Sequence, residues 1–386
     1  MLVRDHFRDP YRFAIAQASE LAAPVLRLVA GVASRGEPTP PENWRTGVIL
    51  GNGHIGDVLY RTCSLQSLAD GLPGCRWTYL TTSVGAATLA GNPALAEILP
   101  WTDDTDALDA DRRREVKTRA FDVALCSDNV GHHRALARAV RLGIPNRVSF
   151  TRKGLSGLAT LGVPLAESIP HAAAFRAMVG TITGVKDTSP LRPQIFPTTD
   201  DRNAARAEFL RVGGAGGIPL IACAATTRQT IGNYHPDFFA DVLARVLALS
   251  SEVRIALTGV STDRPLLEGI ASRLGERAGV SAGTLGVLGF GAFLELCSAF
   301  LGTDSGARHL ANAAGIQVFF VRNMGTTAAE TGAYCETETD IAPPGEYLSI
   351  AATQRALDTI DRDRVAHQLV TAARKRAHGT STDTRR

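Results

Sequence analysis

The chain has 386 residues, a length that suits two domains of middling size better than one. With 45% hydrophobic and 20% charged residues and a net charge of +3, its composition excludes a disordered chain and a dedicated nucleic-acid binder. The sequence contains no run of about eighteen clean apolar residues and no secretory signal at its N-terminus. We therefore expect a cytoplasmic protein without a transmembrane segment, for which peripheral membrane contact stays open.

The cysteines are widely spaced and form no C-x-x-C pair, which argues against a zinc ribbon and a dense disulfide framework. Most of them lie inside apolar runs, where a free buried thiol is the common case. The sequence therefore predicts free thiols at six positions: Cys63, Cys75, Cys126, Cys223, Cys297 and Cys335.

Residues 1–45 predict a helical extension followed by a Pro-rich linker. Apolar residues recur at helical spacing from Phe13 to Val32, and Pro24 should kink or split that helix. The helix could dock on the body of the protein, mediate dimerisation or touch a membrane surface. Docking on the body is the interpretation that we favour.

The rest of the chain alternates short β-branched runs with amphipathic segments, a pattern that predicts parallel sheets covered on both faces by helices. We expect two Rossmann-like α/β domains facing a central cleft, with ligands beyond the carboxyl ends of the strands. The predicted segments are an acceptor-side domain (46–185), a linker (186–200), a second domain (201–355), and a C-terminal helix with a disordered tail (356–386).

A literal G-x-G-x-x-G, formed by Gly51, Gly53 and Gly56, follows the first strand and opens a helix. Alone it would suggest a dinucleotide, but that fingerprint needs an acidic residue at the end of the second strand to hold the ribose. Here Thr-Thr-Ser occupies 81–83, so an NAD(P)-dependent oxidoreductase remains only an alternative.

Asp57 directly follows the glycines, at the start of the predicted helix. It is either a carboxylate favoured by the helix dipole or a general base at the mouth of the cleft. His54, one turn away, could orient a substrate hydroxyl or serve only as a turn residue.

The segment 302–315 follows a strand, opens a second helix and has the features of an anion site. Its first residues supply N-cap chemistry and a glycine that permits close backbone approach. A well-capped helix is the plain interpretation, and a nucleotide diphosphate is the functional one. The candidate donor residues here are Thr303, Asp304, Ser305, Gly306 and His309.

These two motifs, together with the Gly-Asn-Pro turn at 91–93, resemble glycosyltransferase family 9, the bacterial heptosyltransferases, over about Thr46 to Asn323. The resemblance implies a GT-B fold and an inverting, metal-independent transfer. It implies a nucleotide-diphosphate sugar as donor substrate and no cofactor.

The resemblance also assigns residues. Asp57 falls on the family's first-motif aspartate, considered the base, and 303–309 falls on the donor diphosphate loop. Thr226, Thr227 and Arg228 fall on a loop that also meets phosphates, and the loop after Gly259 is a candidate for contact with the nucleotide base. The lysine usual after the first of these loops is missing here, so Arg228 is the candidate cation.

Several functions stay open at this stage. The sugar is a heptose or a hexose, and the acceptor is a lipopolysaccharide-type glycan or a small-molecule natural product. A GT-B nucleotide-sugar epimerase and a non-catalytic nucleotide-sugar-binding relative are further alternatives. Asp104-x-Asp106 lies in an acidic-then-basic stretch that we interpret as a solvated loop and not a metal site.

Overall fold

The computed structural model describes residues 10–34, 36–51, 53–101, 110–127, 132–151, 154–165, 169–227, 236–322, 328–343 and 350–379. The chain divides into two compact units, Met1–Leu191 (unit 1) and Arg192–Arg386 (unit 2). In the described residues each unit holds one six-stranded parallel sheet with helices between its strands. This is the α/β architecture that the sequence predicted.

Unit 1 has the strand order β3-β2-β1-β4-β5-β6, so the winding reverses between β1 and β4. Its described strands are β1 (Thr46–Leu50), β2 (Arg76–Thr82), β3 (Glu97–Trp101), β4 (Val123–Cys126), β5 (Asn146–Phe150) and β6 (Leu161–Val163). Its described helices are α1 (Pro10–Leu21), α2 (Ala23–Ala33), α3 (Ile55–Thr62), α4 (Leu65–Gly71), α5 (Ser83–Leu89), α6 (Ala110–Thr118), α7 (His132–Arg141) and α8 (His171–Thr183).

The central strand β1 is buried on both faces, which explains its continuous apolar sequence. Val48 and Leu50 pack into one hydrophobic cluster with Ala124 of β4. Ile49 points to the other face and packs with Trp77. Two layers of helices therefore cover this sheet, and its ligand-accessible edges are the strand ends.

Unit 2 repeats the topology, with the order β12-β11-β10-β7-β8-β9 and the reversal between β7 and β10. Its described strands are β7 (Leu220–Ala224), β8 (Arg254–Gly259), β9 (Ala278–Ala282), β10 (Ala299–Thr303), β11 (Gln317–Val321) and β12 (Glu338–Asp340). Its described helices are α9 (Thr199–Arg211), α10 (Pro236–Leu249), α11 (Arg264–Leu274), α12 (Val287–Leu296), α13 (Gly306–Ala314), α14 (Ala328–Thr331), α15 (Ile350–Asp358) and α16 (Arg362–Gly379).

The C-terminal helix α16 packs on α10 and contributes Val365, Leu369 and Ala373 to the core of unit 2. Other elements were not expected from the sequence, namely α5, α6, α8, α9, β6, β9, β12, α14 and α15. Helix α6 begins inside the acidic-then-basic stretch that was interpreted as a solvated loop. Helix α9 begins inside the stretch interpreted as a linker. Its start is fixed by a capping box in which Thr198 and Asp201 bond each other's backbone.

The predicted N-terminal helix is split into α1 and α2, which meet at a bend of 70° just before Pro24. The pair packs against the rest of unit 1, but the apolar stripe expected to face the body is largely exposed, for example at Val25 and Val32. The buried side chains are the small ones, Ala16 and Ala30. Among the described helices none alone is long and apolar enough to span a membrane, and the bent pair passes that test only when both helices are combined.

All six cysteines are buried and none forms a disulfide, as the sequence predicted. Burial raises the pKa of Cys75 to about 12, the effect of nearby Asp122 adding to it. Burial likewise raises the pKa of Cys223 and of Cys297. These thiols are protonated and unreactive in the folded protein.

Candidate functional site

The glycine loop lies at the reversal point of unit 1, where β1 runs into α3. Ligands of doubly wound sheets bind at this point, beyond the carboxyl ends of the strands. His54 is the N-cap residue of α3 and is exposed, with no side-chain capping bond. Asp57 is partly exposed in the first turn of α3, and Gly56 precedes it. The helix start predicted from the sequence is confirmed, and the role of Asp57 stays a prediction.

Thr82, at the end of β2, holds the glycine loop in place. Its hydroxyl donates to the carbonyl of Gly53 at 2.7 Å and accepts from the amide of Gly85 at 3.2 Å. A Cβ at Gly53 would lie 2.2 Å from the Thr82 side chain, so only glycine fits there. The position where a dinucleotide site needs an acid is thus occupied by a hydroxyl that binds the loop itself.

Arg61 also supports the glycine loop, a role that was not predicted from the sequence. It is fully buried and donates to Ser127 Oγ at 2.7 Å, to Tyr79 Oη at 3.0 Å and to the carbonyl of Asp57 at 2.7 Å. A Cβ at Gly51 would lie 2.7 Å from its guanidinium carbon. Arg61 therefore ties the first turn of α3 to β2 and to the end of β4.

At the reversal point of unit 2, the loops after β7, β8 and β10 are joined by side-chain hydrogen bonds. Thr303 is fully buried and donates to the carbonyl of Thr226 at 3.1 Å. Thr226 donates to Asp263 Oδ2 at 2.8 Å, and that oxygen also accepts from the amide of Val260 at 3.0 Å. A Cβ at Gly259 would lie 2.7 Å from the same oxygen. Three of the predicted donor loops thus form one connected edge.

Ser305 is the N-cap of α13, whose first residue is Gly306. The side chain of this N-cap residue makes no capping hydrogen bond, so the plain interpretation of a well-capped helix does not hold for Ser305. The Ser305 hydroxyl is buried and has no hydrogen-bond partner among the described residues. A helix N-terminus with uncapped amides and an unused hydroxyl is a ready anion site.

Arg308 is not available to a ligand. It is 1% exposed, and its donors reach Asp304 Oδ1 at 2.8 Å, both carboxylate oxygens of Glu338 and the carbonyls of Thr331 and Gly332. Its guanidinium also stacks 3.5 Å from the ring centroid of Phe320. Arg308 therefore fixes α13 to the segment that precedes β12.

The two carboxylates bound by Arg308 differ in pKa. Burial raises the pKa of Asp304 and outweighs its bond to Arg308. At Glu338 burial also acts to raise the pKa, but Arg308 and the amide of Asn312 outweigh it, so the pKa is lowered. Glu338 is thus the stable anionic partner of Arg308.

His309 lies one turn into α13 and contacts Tyr334. The Nδ1 atom is 2.6 Å from Tyr334 Oη, and the two rings stack with centroids 5.5 Å apart. The Nε2 atom is 4.0 Å from Asp304 Oδ1. The amide of Tyr334 donates to Glu338 Oε2 at 2.8 Å, so the Arg308 network also positions the residue that contacts His309.

The structure brings the predicted residues together in two sets, each within its own unit. Thr227 is partly exposed next to Thr226, whereas Arg228, Asn52 and the Asp104-x-Asp106 stretch lie outside the described residues. No cluster of three His, Cys, Asp or Glu side chains suited to a metal occurs in the described residues. Four residues of these networks were not predicted from the sequence: Arg61, Asp263, Tyr334 and Glu338. Of these only Arg61, four residues after Asp57 on the same helix face, had a local signal.

Solved structures share this fold. A glycosyl transferase of family 9 from Veillonella parvula DSM 2008 matches with a TM-score of 0.70 at 16% identity, covering 89% of this chain and 100% of that one. E. coli ADP-heptose lps heptosyltransferase II matches with a TM-score of 0.66 at 16% identity, covering 85% and 98%. E. coli heptosyltransferase WaaC with ADP matches with a TM-score of 0.64 at 15% identity, covering 85% and 100%.

The predicted GT-B fold is confirmed by these likenesses. No protein-family model matches the sequence, and the search of curated proteins finds no relative. At such low identity the likeness concerns the fold, so the function has to be argued from the site.

Proposed function

We propose that the protein is an inverting, metal-independent glycosyltransferase that moves a heptose or hexose from a nucleoside-diphosphate sugar to a hydroxyl acceptor. The observation that carries this proposal is the start of α13. There the uncapped amides and the partnerless hydroxyl of Ser305 offer donors to an anion that no described residue supplies.

In this proposal unit 2 binds the donor. The diphosphate accepts hydrogen bonds from the amides at the start of α13 and from Ser305, and the helix dipole adds to the attraction. His309, held by Tyr334, donates to the leaving phosphate as its negative charge grows. Thr226 and Thr227 line the neighbouring loop, and the loop after Gly259 contacts the base. Arg228 adds the remaining positive charge.

Unit 1 supplies the base. Asp57 accepts the proton of the acceptor hydroxyl while that oxygen attacks the anomeric carbon and the bond from the anomeric carbon to the diphosphate breaks. His54, exposed at the N-cap of α3, orients the acceptor hydroxyl. Attack opposite the leaving group inverts the anomeric centre. The charge of the leaving diphosphate is held by amides and side chains, so the step needs no metal.

The nucleotide is proposed from the structural neighbours. Two of the E. coli heptosyltransferase structures contain ADP or an ADP-linked fluoro heptose. We propose an ADP-linked sugar as the first donor to test, with a glycan or a small-molecule acceptor.

The test is a thermal-shift titration of the full chain with ADP, GDP, UDP, dTDP and NADH, each without added metal. We expect one nucleoside diphosphate, ADP first, to raise the Tm, because binding to the folded state alone stabilises it. A shift with NADH only would mean that the glycine loop binds a dinucleotide after all. The Thr82–Gly53 bond argues against that outcome, since it uses the group at the ribose position.

A further inference from the structure

The outward side of α1 and α2 carries the densest group of exposed large apolar side chains in the described part of the chain. Six of the thirteen such residues lie on these two helices, with exposures from 52% to 86%. We call this group the aliphatic face. Its members are Ile15, Leu21, Val25, Leu28, Val29 and Val32. A group of exposed large apolar side chains on neighbouring helices indicates an interaction site.

The opposite side of the two helices packs against the rest of unit 1. Ala23 is buried, and a Cβ at Gly157 would lie 2.4 Å from its carbonyl oxygen, so the chains approach closely. The hydroxyl of Ser19 accepts from the amide of Leu155 at 2.9 Å, and Glu20 accepts from the amide of Ser156 at 2.8 Å. Small and polar side chains therefore attach α1 and α2 to the rest of unit 1, and the aliphatic face makes none of these contacts.

Exposed arginines lie on α2 and on a helix that contacts it. Arg27 is exposed on α2, and α2 contacts α7, on which Arg134 and Arg141 are exposed. The sequence of α7 contains no Asp or Glu. The acids nearest in sequence are Glu20, which is bonded to Ser156, and Glu37, which lies beyond the end of α2.

We propose that the aliphatic face seats the protein on the surface of an anionic lipid bilayer. Helices in this arrangement lie in the interface, with aliphatic side chains among the acyl chains and arginines at the anionic headgroups. A second copy fits the surface less well, because face-to-face pairing would bring Arg27 and the α7 arginines of both copies together. This proposal does not depend on the enzymatic activity proposed above.

The first test is co-sedimentation of the full chain with vesicles of phosphatidylcholine alone and of an equimolar phosphatidylcholine–phosphatidylglycerol mixture. We expect binding to the anionic vesicles, weakening as salt is added because the arginine–headgroup attraction is screened. Absence of co-sedimentation with the anionic vesicles at low salt would overturn the proposal.

Variants locate the contact. The double variant Leu28→Asp with Val32→Asp should bind anionic vesicles roughly tenfold or more weakly, because two aliphatic side chains no longer leave water. The matched control is Leu210→Asp with Leu266→Asp, which changes two exposed aliphatic residues of unit 2 and should bind vesicles like the parent. Equal loss in both double variants would contradict the assignment of the face. The unchanged Tm expected at exposed positions separates lost binding from misfolding.

The charge contribution has its own pair of variants. Arg27→Glu with Arg141→Glu should remove the preference for anionic vesicles, whereas Arg206→Glu, an exposed position in unit 2, should keep it. Light scattering after size-exclusion chromatography tests the alternative that a second copy of the chain covers this face. A dimer that the Leu28→Asp, Val32→Asp variant dissociates, without vesicle binding by the parent, would show that a second copy covers this face.

Discussion

At the scale of single residues, Asp57 carries the proposed proton transfer. Replacing it with Asn keeps the size of the side chain and removes the base, so kcat for glycosyl transfer should fall about 10²–10⁴-fold. Nucleoside-diphosphate affinity, measured by calorimetry, should stay within about twofold, because the proposed diphosphate contacts belong to unit 2. Asp70→Asn, an exposed carboxylate on α4, is the control that should keep full activity. Near-parent turnover of Asp57→Asn would contradict the base assignment.

Replacing Ser305 tests whether its hydroxyl binds a ligand or caps the helix. Because its hydroxyl has no partner in the described protein, Ser305→Ala should change the free energy of unfolding by less than about 0.5 kcal/mol. Loss of a hydrogen bond to a charged phosphate, worth about 1.5–3 kcal/mol, should weaken nucleotide binding roughly 10–100-fold. Ser64→Ala removes another buried, partnerless hydroxyl, this one in unit 1, and should leave nucleotide binding unchanged. A large loss of stability in Ser305→Ala would instead indicate a cap.

Much of the site could be predicted from the sequence where a motif is local. Gly51 to Asp57 and Gly302 to His309 each join a strand end to a helix start, and chain geometry alone places their backbone at the sheet edge. The supporting residues could not be predicted in this way. Tyr334 and Glu338 reach α13 from a segment beyond β11, and only the folded chain shows that pairing.

At the scale of elements, the stability that the contact between α9 and the end of β9 contributes should depend on pH. Bonding to Arg211 lowers the pKa of Glu208 to about 2 against the opposing effect of burial, and Thr284 also donates to this carboxylate. A lowered pKa gives stability above the ordinary value near 4.5 that is lost as pH falls towards about 2. Glu208→Gln should flatten the fall of the urea-unfolding free energy over this range, while Glu276→Gln, at an exposed position, should not. Identical pH profiles for parent and Glu208→Gln would contradict the expectation.

The elements themselves were predictable in proportion to their periodicity. The strands β1, β7 and β10 are continuous apolar runs and were recognised. Helix α9 was missed because its sequence, TDDRNAARAEFLR, has few large apolar residues and begins in a Pro-rich stretch. For α1 and α2 the helical spacing was predicted correctly, but the buried side was predicted wrongly. Small residues face the domain, and the large apolar residues face outward.

At the scale of the whole molecule, two units with separate cores should unfold separately. All three tryptophans, Trp44, Trp77 and Trp101, belong to unit 1, so tryptophan fluorescence follows that unit alone. A nucleotide at 100 times its Kd stabilises the unit that binds it by about 2.7 kcal/mol. It should raise the midpoint of a transition seen by circular dichroism and leave the fluorescence midpoint unchanged. An equal rise in both would contradict binding confined to unit 2.

The buried cysteines give the molecule three chemical reporters in each half: Cys63, Cys75 and Cys126 in unit 1, and Cys223, Cys297 and Cys335 in unit 2. An alkylating reagent reaches such a thiol only when the surrounding structure opens. The rate of alkylation at each site, followed by peptide mass spectrometry, therefore measures the opening of each half under native conditions. A bound nucleotide should slow labelling of the second set alone, so the same unmodified protein can reveal which half a ligand protects.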